Sequence, residues 1–230
     1  MTLKFFQMEK KDKLHVGCGN NYFDEYTNID LFDFDERDTS RDGSIYDLKM
    51  DLTNLKFEEN SVSEILFIHG FEHFSKYETI EILKKWKKIL KPGGFVHIEM
   101  PDFKRVYLLS LLPNLLFNSN KSRYKKNIIS DMFYGNQWSG LDYETHRYLW
   151  TKNEFKKTLK ELGFEISYCS NSSFFHIPFR DMIVIFHKEG NTKLHFKNRI
   201  INKKLFKINF FNELKRNFFG LKHIFNFSSK

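Results

Sequence analysis

Two glycines and two aspartates, far apart in the sequence, are the residues best suited to grip a small ligand. Gly17 and Gly19 flank Cys18 directly after the apolar run Leu14–Val16; Asp30, followed by Leu31, ends the run from Thr27; and Asp51, followed by Leu52, ends a third run within 45–52. A Gly-x-Gly turn lets backbone approach a ligand closely. A carboxylate accepts hydrogen bonds from both hydroxyls of a ribose, and a second one can receive an amino group of an adenine. A lone Gly-x-Gly is most often only a tight turn; the acids at the two following run ends make it a nucleoside site. Reactive groups come later: Glu72 and His73, shortly after the run Val62–Ile68, and His146 in a polar segment. A histidine titrates near neutral pH and can take a proton from a hydroxyl. The plainer reading of Glu72 and His73 is structural, with one bracing the next helix and the other packing on the sheet.

These residues need elements that bring them to one place. The runs at 14–16, 27–31, 45–52, 62–68 and Phe95–Met100 read as strands, mostly buried on both faces and hence parallel. Lys76–Leu90 reads as a helix, because Ile82, Leu83, Trp86, Ile89 and Leu90 recur at steps of three and four, and Lys91-Pro92-Gly93-Gly94 stops it. Thr151–Leu162 reads as a second long helix, with Thr151 as N-cap, Glu154 three residues on and Gly163 at its end. Phe164–Cys169 and Asp181–His187 complete the set as an antiparallel pair at a sheet edge. Residues 103–150 loosen into two helices and a glycine-containing loop, an insertion placed to cap a substrate. The alternation predicts an α/β domain over 1–190 with a three-layer, doubly wound, mostly parallel sheet. In such sheets ligands sit at the carboxyl ends of the strands, where the residues named above fall.

Taken in order, Leu14-His15-Val16-Gly17-Cys18-Gly19, Asn28-Ile29-Asp30-Leu31, Asp51-Leu52, His69-Gly70-Phe71-Glu72-His73-Phe74 and Leu90-Lys91-Pro92-Gly93-Gly94 resemble the motifs of class I S-adenosylmethionine (SAM)-dependent methyltransferases. More narrowly they resemble a small bacterial group with a shortened first helix and a His-x-x-Glu-His element, often linked to surface-polysaccharide (capsule) genes. The resemblance covers residues 13–187. It implies a seven-stranded Rossmann-like methyltransferase sheet, SAM as cofactor and S-adenosylhomocysteine as product. It also implies that Gly17, Cys18 and Gly19 line the methionine end, that Asp30 and Leu31 border the ribose, that Asp51 and Leu52 border adenine, and that His69 lies near the sulfonium. The usual third glycine is missing, and Asn20, Asn21 and Tyr22 fill the turn. A dinucleotide is the competing ligand, but it needs Gly-x-Gly-x-x-Gly and a helix N-terminus for its pyrophosphate. Only ten residues lie between Gly19 and Asp30, which favours SAM, a ligand without phosphate.

Methyl transfer is an in-line displacement from an excellent leaving group, so the protein mainly aligns donor and acceptor. A sugar hydroxyl as acceptor calls for a base such as His73 or His146; an anionic phosphoryl-type oxygen calls for clamps instead. Gly135-Asn136-Gln137-Trp138 and Asp142-Tyr143-Glu144-Thr145-His146-Arg147-Tyr148 have the composition of an acceptor site or of a solvated loop. The substrate-side candidates are Tyr143, Arg147, Gln137 and Asp102, the last of which could equally cap the helix after it.

The net charge of +8 is unevenly placed. From Lys188 to Lys230 there are eleven Lys and Arg against two acids, +9, which leaves −1 for residues 1–187. A neutral body makes nucleic acid an unlikely partner. Residues 191–230 form a basic tail, in which 203–227 carries Phe210, Phe211, Leu214, Phe218, Leu221 and Phe225 at helical spacing. Such a helix lies on an anionic membrane, docks on a partner or packs on its own domain. Cys18 and Cys169 stand alone, with no metal-ligand spacing around them, so neither a disulfide framework nor a metal site is expected. No stretch has the apolar length of a signal or a membrane span, which predicts a cytoplasmic protein, peripheral at the inner face of the membrane if the tail binds there. The resemblance implies an O-methyltransferase acting on a sugar, a nucleotide-activated precursor or a phosphoramidate group of a surface glycan. The alternatives are an RNA or protein methyltransferase and a non-catalytic SAM-binding scaffold.

Overall fold

In the computed structural model the described residues are 12–19, 21–31, 46–111, 128–135, 137, 142–171 and 180–190. The apolar runs become strands β1 (Lys13–Val16), β2 (Thr27–Asp30), β3 (Leu48–Lys49), β4 (Val62–Ile68), β5 (Leu90–Pro101), β6 (Phe164–Ser170) and β7 (Asp181–Lys188). They join in one sheet in the order β3-β2-β1-β4-β5-β7-β6. Strands β1 to β5 are mutually parallel, whereas β7 runs antiparallel to both β5 and the edge strand β6. The expected mostly parallel sheet with an antiparallel edge pair is therefore present.

Strand β4 shows why the sheet is buried on both sides. Its side chains alternate. Ile65 and Phe67 enter a large core with Trp86, Trp150, Phe155, Leu159 and Phe186, while Leu66 and Ile68 meet Tyr26 and Phe23 in a smaller cluster. Helices α1 (Lys76–Ile89) and α4 (Lys152–Glu161) both feed the large core. The helix α1 begins at a capping box: the Ser75 hydroxyl accepts from the Glu78 amide, and the Glu78 carboxylate accepts from the Ser75 amide at 2.8 Å. At α4 Thr151 caps as expected, but the Glu154 side chain turns to Lys76 and Tyr148 instead of back to the cap.

Three local expectations change. The third strand shrinks to two residues, because Asp51 caps a 3₁₀ turn over Leu52–Asn54. Strand β5 starts five residues earlier than Phe95: Leu90 is already extended and pairs with Val62, and a bulge accommodates the Pro-Gly-Gly segment before regular pairing resumes at Glu64 and Phe95. Between β1 and β2 the described residues contain only turns. They are held by Asn28, whose amide oxygen accepts from the Phe23 amide and whose amino group donates to the Phe23 and Tyr26 carbonyls. The insertion supplies helices α2 (Phe103–Ser110) and α3 (Ile128–Tyr134). Asn20, Asn136, Trp138 and the tail 191–230 lie outside the described residues. Among the described residues no helix is long and apolar enough to cross a membrane.

Candidate active site

The residues expected to bind the nucleoside lie at the carboxyl ends of β1, β2 and β3. Gly17 and Gly19 both have left-handed backbone, with φ of 61° and 52°. Their surroundings differ. A Cβ on Gly17 would press on the Phe67 ring at 3.1 Å, whereas a Cβ on Gly19 would meet nothing within 4 Å. The Cys18 side chain is buried, and its amide donates to the Ile29 carbonyl, tying the turn to β2. Asp30 is buried and clasped by backbone: Oδ2 accepts from the Gly19 amide and Oδ1 from the Leu31 amide, both at 2.8 Å. A carboxylate offers about four acceptor sites, so service to two backbone amides is compatible with the expected use by a ribose hydroxyl. Leu31 is exposed at 41% beside it. Exposed Asp51 uses Oδ1 to accept from the Thr53 amide, and Leu52 is half-buried next to it. The turn 17–23 contains no lysine or arginine. Glycine backbone, a clasped carboxylate and a turn without lysine or arginine suit hydroxyls, an amine and a sulfonium, and give a pyrophosphate no cation within the turn.

The second half of the site hangs on the end of β4. His69 takes a left-handed φ of 50°, and its amide donates to the Glu99 carbonyl. The chain can then turn sharply, because Gly70 leaves no Cβ to strike the Phe67 ring, which would lie 2.0 Å away. The His69 ring lies between two carboxylates, with Nδ1 2.9 Å from Glu72 and Nε2 3.0 Å from Asp181. Burial opposes its charge, yet the carboxylates of Asp181 and Glu72 win and push its pKa up to about 9, so it is an imidazolium at neutral pH. Conversely, burial favours a neutral Glu72, and the His69 cation holds it down at about 2. Burial opposes the charge of Asp181, but the His69 cation, and after it Arg180, keep that carboxylate far below its usual range. Neither Arg180 nor Asp181 was expected at this site, since they lie 111 and 112 residues from His69. The one available signal was an acid opening an unbroken apolar strand.

Glu72, His73 and His146 come together. One ligand-capable atom of each lies within 4.8 Å of the others, and the two imidazoles meet edge to face with centroids 5.1 Å apart. Backbone explains the meeting: the Glu72 carbonyl accepts from the Arg147 amide at 2.7 Å and the Tyr148 amide at 3.2 Å. Gly135 lets the loop close, for its α-carbon approaches the Glu144 carbonyl so nearly that a Cβ would lie 1.8 Å from that oxygen. His73 Nδ1 faces the Thr145 carbonyl and His146 Nδ1 faces the Met132 carbonyl, each at 3.2 Å. A carbonyl only accepts, so both Nδ1 atoms carry hydrogen in the neutral rings and the Nε2 lone pairs are left for other work. Burial depresses the pKa of His146. Glu72 is 1% exposed, and apart from the His69 ion pair its oxygens have no hydrogen-bond partner.

The remaining substrate-side candidates separate. Arg147 is spent on Glu78, 2.9 Å away at the start of α1. Asp102 is buried and structural: Oδ1 accepts from the Lys104 and Lys152 amides, and Oδ2 accepts from Asn171. Exposed Gln137 donates to the Tyr134 carbonyl. Tyr143 is half-buried in the 3₁₀ turn Asp142–Glu144 that precedes His146.

Residues 3–168 match a family model described as a methyltransferase domain. Among solved structures, a SAM-dependent methyltransferase from Methanosarcina mazei is similar in fold, with a TM-score of 0.51 and 15% identity over 77% of this chain and 92% of that one. A SAM-dependent methyltransferase from Mesorhizobium loti aligns with a TM-score of 0.48 and 13% identity over 76% and 89% of the two chains. No curated protein matches the sequence significantly. With most of its length on the family model, the chain belongs to the methyltransferase-domain family, the class I enzymes that take their methyl group from S-adenosylmethionine.

Proposed function

We propose that this enzyme methylates an oxygen of a small polar acceptor made for a bacterial surface glycan, whether a sugar, a nucleotide-activated precursor or a phosphoramidate group. The observation that carries an oxygen acceptor is the convergence of Glu72, His73 and His146 beside His69. SAM, when bound, supplies a methyl group activated by its sulfonium. Gly17 and Gly19 admit its methionine end, Asp30 takes the ribose hydroxyls, and Asp51 with Leu52 borders the adenine. The acceptor hydroxyl enters from the side of Tyr143 and Gln137, and its proton meets the imidazole nitrogens left free by the two carbonyl contacts. The pairing of Arg147 with Glu78 removes the clamp expected for an anionic acceptor, which favours a hydroxyl. The glycan class is supported by the resemblance to capsule-linked relatives and by the neutral body, which gives RNA no electrostatic footing. The basic tail 203–227 would keep the enzyme at the inner face of the membrane, where glycan precursors are assembled.

The test is incubation with methyl-labelled SAM and, separately, nucleotide-sugars, capsule-precursor extract, transfer RNA and ribosomal protein. Label in an alkali-stable ether or a phosphoramidate ester of the glycan fractions is expected. Label confined to RNA or protein would overturn the assignment.

A further inference from the structure

The end of β4 presents a buried carboxylate, Glu72, whose Oε1 lies 2.9 Å from His69 Nδ1 and whose Oε2 has no hydrogen-bond partner among the described residues. Glu72 is 1% exposed, so the oxygen turned away from His69 is cut off from water as well. A buried carboxylate left this way is costly unless something else meets it. Two further imidazoles, of His73 and His146, stand beside it, and their Nδ1 atoms are already committed as donors to the carbonyls of Thr145 and Met132. Each ring therefore offers a lone pair at Nε2 and has its orientation fixed by backbone, the arrangement that usually stands behind a metal-bound histidine.

We propose that Glu72, His73 and His146 bind a divalent transition-metal cation of the zinc, iron or manganese class, with open positions on the side from which the acceptor enters. Two imidazoles and one carboxylate suit these ions better than magnesium or calcium, which prefer all-oxygen shells. The ligand atoms lie within 4.8 Å of one another, and an ion with bonds of about 2.1 Å holds tetrahedral ligands roughly 3.4 Å apart. Binding thus draws the side chains in by about 1 Å. His73 comes from the turn after β4 and His146 from a loop fastened by the Glu72 carbonyl, so both sides of the site are already tied to one residue.

The cation's role rests on the oxygen-acceptor reading above. With their Nε2 lone pairs on the cation, His73 and His146 would act as its ligands in place of acting as bases: an acceptor hydroxyl at an open position would lose its proton to water, its oxygen would bond to the methyl carbon, and the carbon–sulfur pair would leave with sulfur as a neutral thioether. The metal site itself stands on geometry and is tested without any acceptor.

The full chain, stripped with a chelator and dialysed, is titrated with Co²⁺ and followed by its visible absorption. One Co²⁺ per chain with intense low-symmetry bands is expected, displaced stoichiometrically by Zn²⁺. Glu72→Gln and His146→Ala should each weaken binding by ~100-fold. His187→Gln, on a histidine that pairs with Ser167 and Glu165, should leave the spectrum unchanged. S-adenosylhomocysteine binding by calorimetry reports folding, and partly buried His146 gives the variant with least burden on the core. A chain that shows no such bands, or whose bands survive His146→Ala in a folded protein, overturns the site. A failed acceptor screen alongside intact cobalt bands would instead reject the O-methylation reading.

Discussion

Asp30→Asn tests whether the carboxylate proposed to bind the cofactor is also a structural clasp. The substitution keeps the shape and removes the charge and one acceptor oxygen. In the native turn Oδ2 serves the Gly19 amide and Oδ1 the Leu31 amide, each at 2.8 Å. An asparagine can satisfy one of these donors with its oxygen, but its amino group then faces the other, donor against donor. A hydrogen bond to a charged group contributes about 1.5–3 kcal/mol, and the variant loses one such bond and weakens the second. The expected cost to the ligand-free protein is therefore ~2–3 kcal/mol, or a fall in melting temperature of about 5–10 °C for a domain of this size.

The ligand adds a second, separable effect. A ribose hydroxyl that donated to a carboxylate now meets a neutral amide, which costs about 1.4 kcal/mol, or roughly tenfold in affinity. Thermal unfolding without ligand and calorimetry with S-adenosylhomocysteine read the two effects independently. A carboxylate used only by the ribose would lose affinity and melt with the parent. If Asp30→Asn melts within ~1 °C of the parent and binds the product equally well, both uses of Asp30 are refuted.

Two other perturbations address different parts of the molecule. Burial pushes the Glu64 carboxyl up to about 8, against the opposing charge of Lys13. Its folded pKa exceeds the unfolded one, so its contribution is complete below about pH 4.5 and is lost as pH rises through 8. Glu64→Gln should then raise the melting temperature at pH 9 and change it little at pH 5; an equal shift at both would remove the titration from the account. Gly135→Ala places a methyl 1.8 Å from the Glu144 carbonyl at a φ of 82°, which must displace the loop that carries His146. Methyl transfer is expected to fall by at least about tenfold while product affinity stays constant, and retention of full turnover would separate the loop from the chemistry.

Much of this architecture was legible because it rests on apolar runs punctuated by glycine and acid. Val62–Ile68 was read to the residue, since its ends coincide with a polar flank and His69. Strand β3 was overread because Ile45–Leu52 shows an extended pattern, whereas capping by Asp51 turns the chain at Leu52. The capping box at Ser75 and Glu78 was present in the sequence as Ser-x-x-Glu before an apolar helix and could have been found. Asp181 could not. Its place beside His69 follows from the antiparallel register that pairs it with Pro101, and no spacing along the chain encodes that register. The same holds for the choice between Arg147 as clamp and Arg147 as partner of Glu78: the residue type permits both, and only the closure of 145–148 onto the Glu72 carbonyl decides.

The long-range contact also bears on how an imidazolium can stand where a sulfonium is proposed to lie. Alone, a protonated His69 would repel the cofactor, and two charges about 4 Å apart interact by several kcal/mol when partly buried. His69 is not alone: Glu72 faces Nδ1, Asp181 faces Nε2, and Arg180 engages the far side of Asp181. Two cations and two anions close the group at zero net charge, and the carboxylate left least satisfied is Glu72, toward His73 and His146. A cation there, whether a metal ion or the sulfonium approaching its acceptor, meets attraction from Glu72 before it feels His69. On the proposed assignment, Glu72 would link the charge balance around His69 to the activation of the atom that receives the methyl group.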